Sequence, residues 1–126
     1  TREYAPSAEV MIHVALGGQA EESERFFDAM AEYGVDYDVI GQSYYPEWHG
    51  TLEDLERNLK SMAKEIGKPI YVVEYRDYFL DIDRIVEALP DGLGLGTFIW
   101  EATSPQWGKL FDEKGASTPA LDDYNR

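Results

Sequence analysis

The chain has 126 residues, no cysteine, 44% hydrophobic and 29% charged residues, and a net charge of −14 at pH 7. The length suits a single domain, residues 1–126, and the composition is that of a globular protein rather than a disordered one. The negative charge argues against nucleic acid and membranes as partners, since phosphates require clustered Lys and Arg, and the lack of cysteine excludes disulfides and thiolate metal sites.

The sequence contains neither a signal-peptide pattern nor a run apolar enough to cross a membrane, and it begins at Thr1 rather than at a methionine. We therefore expect a processed, excised or engineered segment. The sequence by itself leaves the localisation unknown.

The first predicted unit is a strand followed by a helix. An apolar run over residues 10–16 predicts the strand. The helix is predicted from Glu21 to Tyr33, where apolar residues recur at spacings of three and four. Gly34 then stands where a helix-ending glycine is expected.

The second unit repeats this order. Residues 38–45 predict a strand and residues 46–50 a loop. The next helix is predicted to end near Ile66, and at its start Thr51 and Asp54 have the spacing of a capping box.

The third and fourth units are shorter. Residues 70–74, Ile-Tyr-Val-Val-Glu, predict a buried parallel strand with a carboxylate at its end. A helix is predicted over 82–89, a fourth strand over 94–101, a turn at 112–115 and a last helical piece after Pro119.

The strand starts, near residues 10, 38, 70 and 95, recur at the length of a βα unit. Four such units make an α/β fold corresponding to half of a TIM (β/α)8 barrel, which takes roughly 250 residues when complete. A small open doubly wound sheet is the alternative. Gly17-Gly18 is too short to indicate a phosphate-binding loop.

Two carboxylates end predicted strands, Glu74 and Glu101. Strand ends on this side form the ligand site of parallel α/β folds, and two carboxylates are the minimum for glycoside hydrolysis. The alternative is that each one caps a helix or forms a salt bridge in a βα loop.

Further candidates are the two histidines. His13 lies in an apolar strand, where it is a candidate general base or sugar hydrogen-bond partner, or alternatively a core residue. His49 is expected in an exposed loop and is the stronger candidate for a functional role. Asp81 and Asp83 lack calcium-site spacing, so neither a metal nor another cofactor is expected.

Four aromatic residues gather near predicted strand ends. Flat rings stack on the apolar faces of sugars, so these residues are candidate substrate contacts, and packing of the loops at the barrel rim is the alternative for the two tyrosines. They are Tyr44, Tyr45, Trp48 and Trp100.

The motifs resemble one known family. Val-Met-Ile-His at residues 10–13, residues 38–52 (Asp-Val-Ile-Gly-Gln-Ser-Tyr-Tyr-Pro-Glu-Trp-His-Gly-Thr-Leu), Val-Val-Glu at 72–74 and Phe-Ile-Trp-Glu at 98–101 are similar to the fifth to eighth units of family 53 glycoside hydrolases, the arabinogalactan endo-β-1,4-galactanases. The resemblance implies a retaining, secreted enzyme that acts on a neutral polysaccharide such as β-1,4-galactan, with Glu74 as nucleophile.

The sequence departs from that family in three ways, the first being a short predicted helix in place of the family's long loop between the seventh and eighth strands. Residues 75–78, Tyr-Arg-Asp-Tyr, stand where the family has Thr-Ala-Tyr-Pro, and no Asn-Glu pair is present to supply the usual acid/base. The isolated chain is therefore expected to be weakly active or inactive, and the alternative function is a non-catalytic half-barrel fragment, natural or engineered.

A half barrel leaves two open sheet edges and an uncovered inner face. We expect closure by a homodimer, or by a complementary N-terminal half-barrel. In a homodimer, Glu101 of one chain is expected to take the place of the missing acid/base opposite Glu74 of the other.

Overall fold

The computed structural model describes residues 1–124 as four β-strands that alternate with helices. Among these residues, no helix combines the length and the apolar character needed to cross a bilayer. In chain order the elements are β1 (Met11–Val14), α1 (Ala20–Glu32), β2 (Val39–Ser43), α2 (Pro46–His49), α3 (Leu52–Ile66), β3 (Ile70–Glu74), α4 (Phe79–Glu87), β4 (Gly94–Thr97) and α5 (Pro119–Tyr124).

The strands form one parallel sheet in the order β1-β2-β3-β4, so that each strand pairs with the next one along the chain. This is the predicted parallel α/β arrangement. All four strands run in the same direction, so their carboxyl ends lie at one end of the sheet. The candidate site residues lie at or just beyond these strand ends.

The predicted helix boundaries depend on local chemistry that the structure contains. Asp54 N–H donates to the Thr51 hydroxyl at 3.2 Å, and Thr51 N–H donates to Asp54 Oδ2 at 2.9 Å, which completes the capping box of α3. Gly67 ends the same helix in the left-handed conformation, with φ +68°. These two predictions are confirmed.

The hydrophobic core lies between the helices and one face of the sheet. Ile40, Ile70 and Val72 point from β2 and β3 towards Leu55 and Ile82 of the helices, and all five are fully buried. Burial on this face accounts for the apolar side chains at every second strand position, such as Ile70 and Val72, whereas Tyr71 and Val73 are only partly buried, so the prediction of a buried β3 holds for one of its faces.

The opposite face of the sheet carries apolar side chains without a covering layer in the described part of the chain. We call Met11, Tyr71, Val73 and Phe98 the open face. Met11 and Val73 flank the position of Gly41, and the rings of Tyr71 and Phe98 lie 5.5 Å apart. Met11 and Phe98 are exposed, so this side of the sheet is apolar and solvated at once.

Several predicted strands are too long. The first ends at Val14 because Leu16 adopts φ +62°, and the fourth ends at Thr97 rather than at Glu101. An irregularity after Ile70 shifts the pairing between β3 and β4, and Glu101 adopts φ +45° in a turn. Glu101 is therefore four residues beyond its strand.

Two helices also differ from the prediction. The predicted loop 46–50 contains the short helix α2, which Pro46 begins. Helix α4 begins at Phe79, three residues before the predicted start, because Tyr78 takes up the left-handed turn that precedes it, with φ +64°.

Candidate active site

Glu74 ends β3 and lies at the centre of a group of polar side chains. Its Oε1 accepts a hydrogen bond from the Tyr45 hydroxyl at 3.0 Å, and its Oε2 lies 3.9 Å from His13 Nε2. The Glu74 side chain is 25% exposed, so the carboxylate has protein partners and still reaches solvent. The carboxylate is therefore held by neighbouring side chains and is also accessible from the solvent.

His13 joins this group from β1, which is separated from β3 by β2. Its Nε2 lies 2.6 Å from Ser43 Oγ, and Ser43 is the residue of β2 that pairs with Glu74. A shift in pairing after Gln42 brings Ser43 opposite the carboxylate. Ser43 was not among the site residues predicted from the sequence. Its place near the end of the predicted strand 38–45, just before the paired tyrosines, is the signal that could have identified it.

Tyr45 is the partner that orients Glu74. Its partly buried ring packs against Trp48 and His49, with centroid separations of 5.7 and 5.8 Å. Burial, followed by the hydrogen bond to Glu74, raises the pKa of Tyr45 well above its ordinary value. The phenol therefore keeps its proton at neutral pH and remains a donor to the carboxylate.

Tyr44 and His49 are packed inside the protein instead of lining its surface. Tyr44 is 1% exposed and its hydroxyl donates to the Gly50 carbonyl at 2.9 Å; burial raises its pKa to about 12. The expectation that His49 is exposed is wrong, because the ring is 6% exposed and its Nδ1 accepts the Tyr45 N–H at 3.0 Å. Burial lowers the pKa of His49, consistent with a neutral ring that closes helix α2.

The two tryptophans that were predicted to contact a substrate are exposed to solvent. Trp48, on α2, is 63% exposed and packs beside Tyr45. Trp100 is exposed in the turn after β4, where its backbone N–H donates to the Tyr75 carbonyl at 2.9 Å. Glu101 is also exposed, and its charge contributes to the raised pKa of Tyr45. These residues thus lie at the same end of the sheet as Glu74.

The loop between β1 and α1 is held against the back of the site. Gln42 Nε2 donates to the carbonyls of Val14 and Ala15 at 3.1 and 2.8 Å, and Asn58 Nδ2 donates to the Gly17 carbonyl at 2.7 Å. A Cβ atom at Gly18 would lie 1.9 Å from the His49 carbonyl oxygen. The glycines are therefore needed for close packing of two loops.

Within residues 1–124 there is no group of three or more His, Cys, Asp or Glu side chains arranged to hold a metal ion. Asp83, which the sequence analysis weighed as a ligand, instead accepts a hydrogen bond from the Thr97 hydroxyl at 2.6 Å.

A parallel α/β sheet with acidic and aromatic side chains beyond its strand ends defines the class of protein, an α/β fold related to the TIM barrel. The sequence profile of glycosyl hydrolase family 53 matches residues 1–84, and the chain belongs to that family. The family resemblance read from the sequence motifs is thereby confirmed.

The curated relatives are longer than this chain. An uncharacterized protein in the bgaB 5′ region of Niallia circulans is 36% identical over 131 residues, covering 78% of this chain and 35% of its own length. An endo-beta-1,4-galactanase of Bacillus subtilis is 47% identical over 47 residues, covering 37% of this chain and 11% of its own length.

The same fold occurs in solved structures. The GH53 catalytic domain of Ignisphaera aggregans matches with a TM-score of 0.85 at 24% identity, covering 98% of this chain and 48% of that one. A fungal β-1,4-galactanase matches with a TM-score of 0.84 at 21% identity, covering 97% and 49%. The chain thus spans about half the length of these structures.

Proposed function

We propose that this chain provides part of a retaining β-1,4-galactan hydrolase site in which Glu74 is the nucleophile. The observation that carries the proposal is the carboxylate at the end of β3, bonded to the Tyr45 hydroxyl and next to His13. A relative named endo-beta-1,4-galactanase supports galactan as the substrate class.

In this mechanism a Glu74 oxygen forms an ester bond to the anomeric carbon while the glycosidic C–O bond breaks. A carboxylic acid gives its proton to the leaving sugar oxygen, and the same group then takes a proton from the water that cleaves the ester. Tyr45 keeps the attacking carboxylate in one orientation. Another carboxyl group must supply the acid, because the chain has no Asn-Glu pair.

The exposed rings of Trp48 and Trp100 supply flat apolar surfaces on which galactose units stack, and His13 offers a ring nitrogen to sugar hydroxyls. A neutral polysaccharide is compatible with a chain of net charge −14, since it experiences no net repulsion.

A labelling experiment tests the nucleophile without the missing acid. A 2-deoxy-2-fluoro-β-galactoside with a dinitrophenolate leaving group needs no proton on departure, so Glu74 alone can displace it and stay esterified. We expect mass spectrometry to find the sugar on Glu74, with Glu74→Gln unlabelled and Glu87→Gln, a change on exposed α4 surface, labelled as the wild type. A wild type that stays unlabelled would remove Glu74 as nucleophile.

We further propose that the four strands act as a half barrel that a second copy closes. The pairing β1-β2-β3-β4 leaves β1 and β4 at the sheet edges, and a twofold partner brings β4 of one chain beside β1 of the other. This covers the open face and brings Glu101 of one chain towards Glu74 of the other as the acid/base.

Light scattering tests this closure. We expect the mass of a dimer, and we expect the dimer to dissociate less readily as salt is added, because salt screens the repulsion between two chains of charge −14 each. A monomer at all salt concentrations would exclude self-closure and leave a separate N-terminal half-barrel as the partner.

The second candidate function is a non-catalytic binding fragment. The missing Asn-Glu pair favours it. Galactan that binds with equal affinity to the wild type and to Glu74→Gln, with no hydrolysis and no covalent labelling of the wild type, would select it.

A further inference from the structure

Arg76 lies two residues beyond Glu74 and contacts the ring that orients it. The guanidinium carbon is 5.9 Å from the centroid of Tyr45 and 5.5 Å from the centroid of Trp107. Both separations are within the range of cation–π contacts. One cation thus bridges the tyrosine that donates to Glu74 and a tryptophan from the chain beyond β4.

Ion pairs fix the same guanidinium from two further directions. Arg76 Nη2 pairs with Glu47 of helix α2, and Arg76 Nε donates to Asp77 Oδ2 at 3.3 Å. Asp77 Oδ1 in turn accepts from Lys109 Nζ at 2.9 Å. The charges alternate along this series, and the Arg76 side chain is only 20% exposed. Hydrogen bonding to Glu47 raises the pKa of Arg76, so the charge is permanent.

The chain beyond β4 is internally bonded but has few other polar contacts to this edge of the sheet. The Thr118 hydroxyl donates to the Lys109 carbonyl at 2.6 Å, and Lys109 N–H donates to the Ser104 carbonyl at 3.0 Å. Trp107 and Lys109 are the residues through which it meets the Arg76 side chain and Asp77. We call residues 104–118 the closing segment.

We propose that Arg76 is a positioning residue that couples the closing segment to the nucleophile through cation–π contacts of one guanidinium with both Tyr45 and Trp107. The proposal rests on the proposed role of Glu74. In it, the closing segment contributes to the rate of nucleophilic attack although none of its residues bonds to Glu74, and Arg76 acts through Tyr45.

The planar guanidinium is essential to this role. It can stack on two rings and pair with a carboxylate at its edge, which a lysine ammonium cannot do in one geometry. Arg76→Lys is therefore expected to keep the pair with Glu47 and to lose contact with one ring, whereas Arg76→Met loses both kinds of contact.

Labelling kinetics separate positioning from sugar binding. With the fluorogalactoside described above, we expect Arg76→Met to lower the saturating labelling rate about tenfold and to leave the half-saturating concentration within about twofold. Arg76→Lys should recover part of that rate. Arg57→Met is the matched control, because Arg57 pairs with Asp54 on the exposed surface of α3, and it should label as the wild type. Equal saturating rates in all variants would overturn the proposal.

Backbone hydrogen exchange gives a readout that is independent of labelling. We expect the Lys109 and Thr118 amides to exchange several-fold faster in Arg76→Met, with the α3 amides unchanged. If wild-type Glu74 is not labelled but these amides respond, the proposed function fails and the coupling stands for the closing segment alone. Unchanged exchange at both amides would refute the coupling itself.

Discussion

The Tyr45 hydroxyl donates a hydrogen bond to Glu74 Oε1 at 3.0 Å, joining the end of β3 to the connection after β2 across 29 residues of sequence. The bond is partly buried, so it is partly shielded from water. A shielded bond to a carboxylate is stronger and more directional than one in solvent, which makes Tyr45 the main orienting contact of the proposed nucleophile.

The first prediction concerns that bond. Tyr45→Phe removes the donor and keeps the ring, so we expect the labelling rate of Glu74 to fall roughly ten- to a hundredfold, as the loss of a hydrogen bond to a charged group implies. Thermal unfolding is expected to change little. Tyr33→Phe, at an exposed position after α1, is the control and should behave as the wild type. An unchanged rate in Tyr45→Phe would show that the bond does not serve attack.

The second prediction concerns pH and His49. Burial lowers the pKa of His49, so the folded protein binds fewer protons there than the unfolded chain. The free energy of unfolding must then fall as the pH drops below the ordinary histidine value of about 6.5, and this contribution is complete at pH values above it.

The measurement is the free energy of unfolding in denaturant at pH 7.5 and pH 5. His49→Gln offers an oxygen that can accept the Tyr45 N–H in place of Nδ1, but it cannot titrate. We expect the drop between the two pH values to be smaller in His49→Gln than in the wild type. Equal drops would show that the ring does not remain neutral when folded.

The third prediction concerns the contact between two loops. Gly18→Ala would place a Cβ atom 1.9 Å from the His49 carbonyl oxygen, so backbone must move, and we expect a loss of at least about 2 kcal/mol in unfolding free energy. Gly115→Ala is the control, because no atom lies within 4 Å and only its φ of +78° opposes the change, at a cost of roughly 1 kcal/mol. Equal losses would mean that the two loops separate readily.

The fourth prediction concerns the open face. Phe98→Glu puts a charge on the exposed apolar surface that the proposed dimer buries, and we expect light scattering to show a monomer. Tyr33→Glu adds the same charge at an exposed ring beyond α1 and should keep the dimer mass. Far-ultraviolet circular dichroism should show both variants folded. A dimer that survives Phe98→Glu would place the contact elsewhere.

Local patterns in the sequence were sufficient for the elements whose signals are themselves local. The capping box at Thr51 and Asp54 and the helix-ending Gly67 depend on residues within one turn of a helix, so the order of types predicts them. The apolar run ending in Glu74 likewise predicted β3 with its bounds, Ile70 and Glu74, because both faces of this strand carry apolar side chains, Ile70 and Val72 in the core and Tyr71 and Val73 on the open face.

Features that depend on contacts between distant segments of the chain could not be predicted from the sequence. β4 ends at Thr97 and Glu101 lies in a turn with φ +45°, and the pairing of β3 with β4 shifts after Ile70; the order of residue types along the chain predicted none of these features. His49 is buried where its backbone packs closely against Gly18, which comes from the loop after β1, and the sequence around His49 does not show this contact.

The sequence by itself determined the alternation of four strands with helices α1, α3 and α4, the family, and Glu74 as the carboxylate that ends β3, because periodicity, caps and motifs involve neighbouring residues. Only the tertiary structure decided which side chains meet that carboxylate: Tyr45 as donor, Ser43 beside His13, and Arg76 between two rings. The physical reason is that these contacts arise when parallel strands align their ends, which brings together residues about 30 positions or more apart.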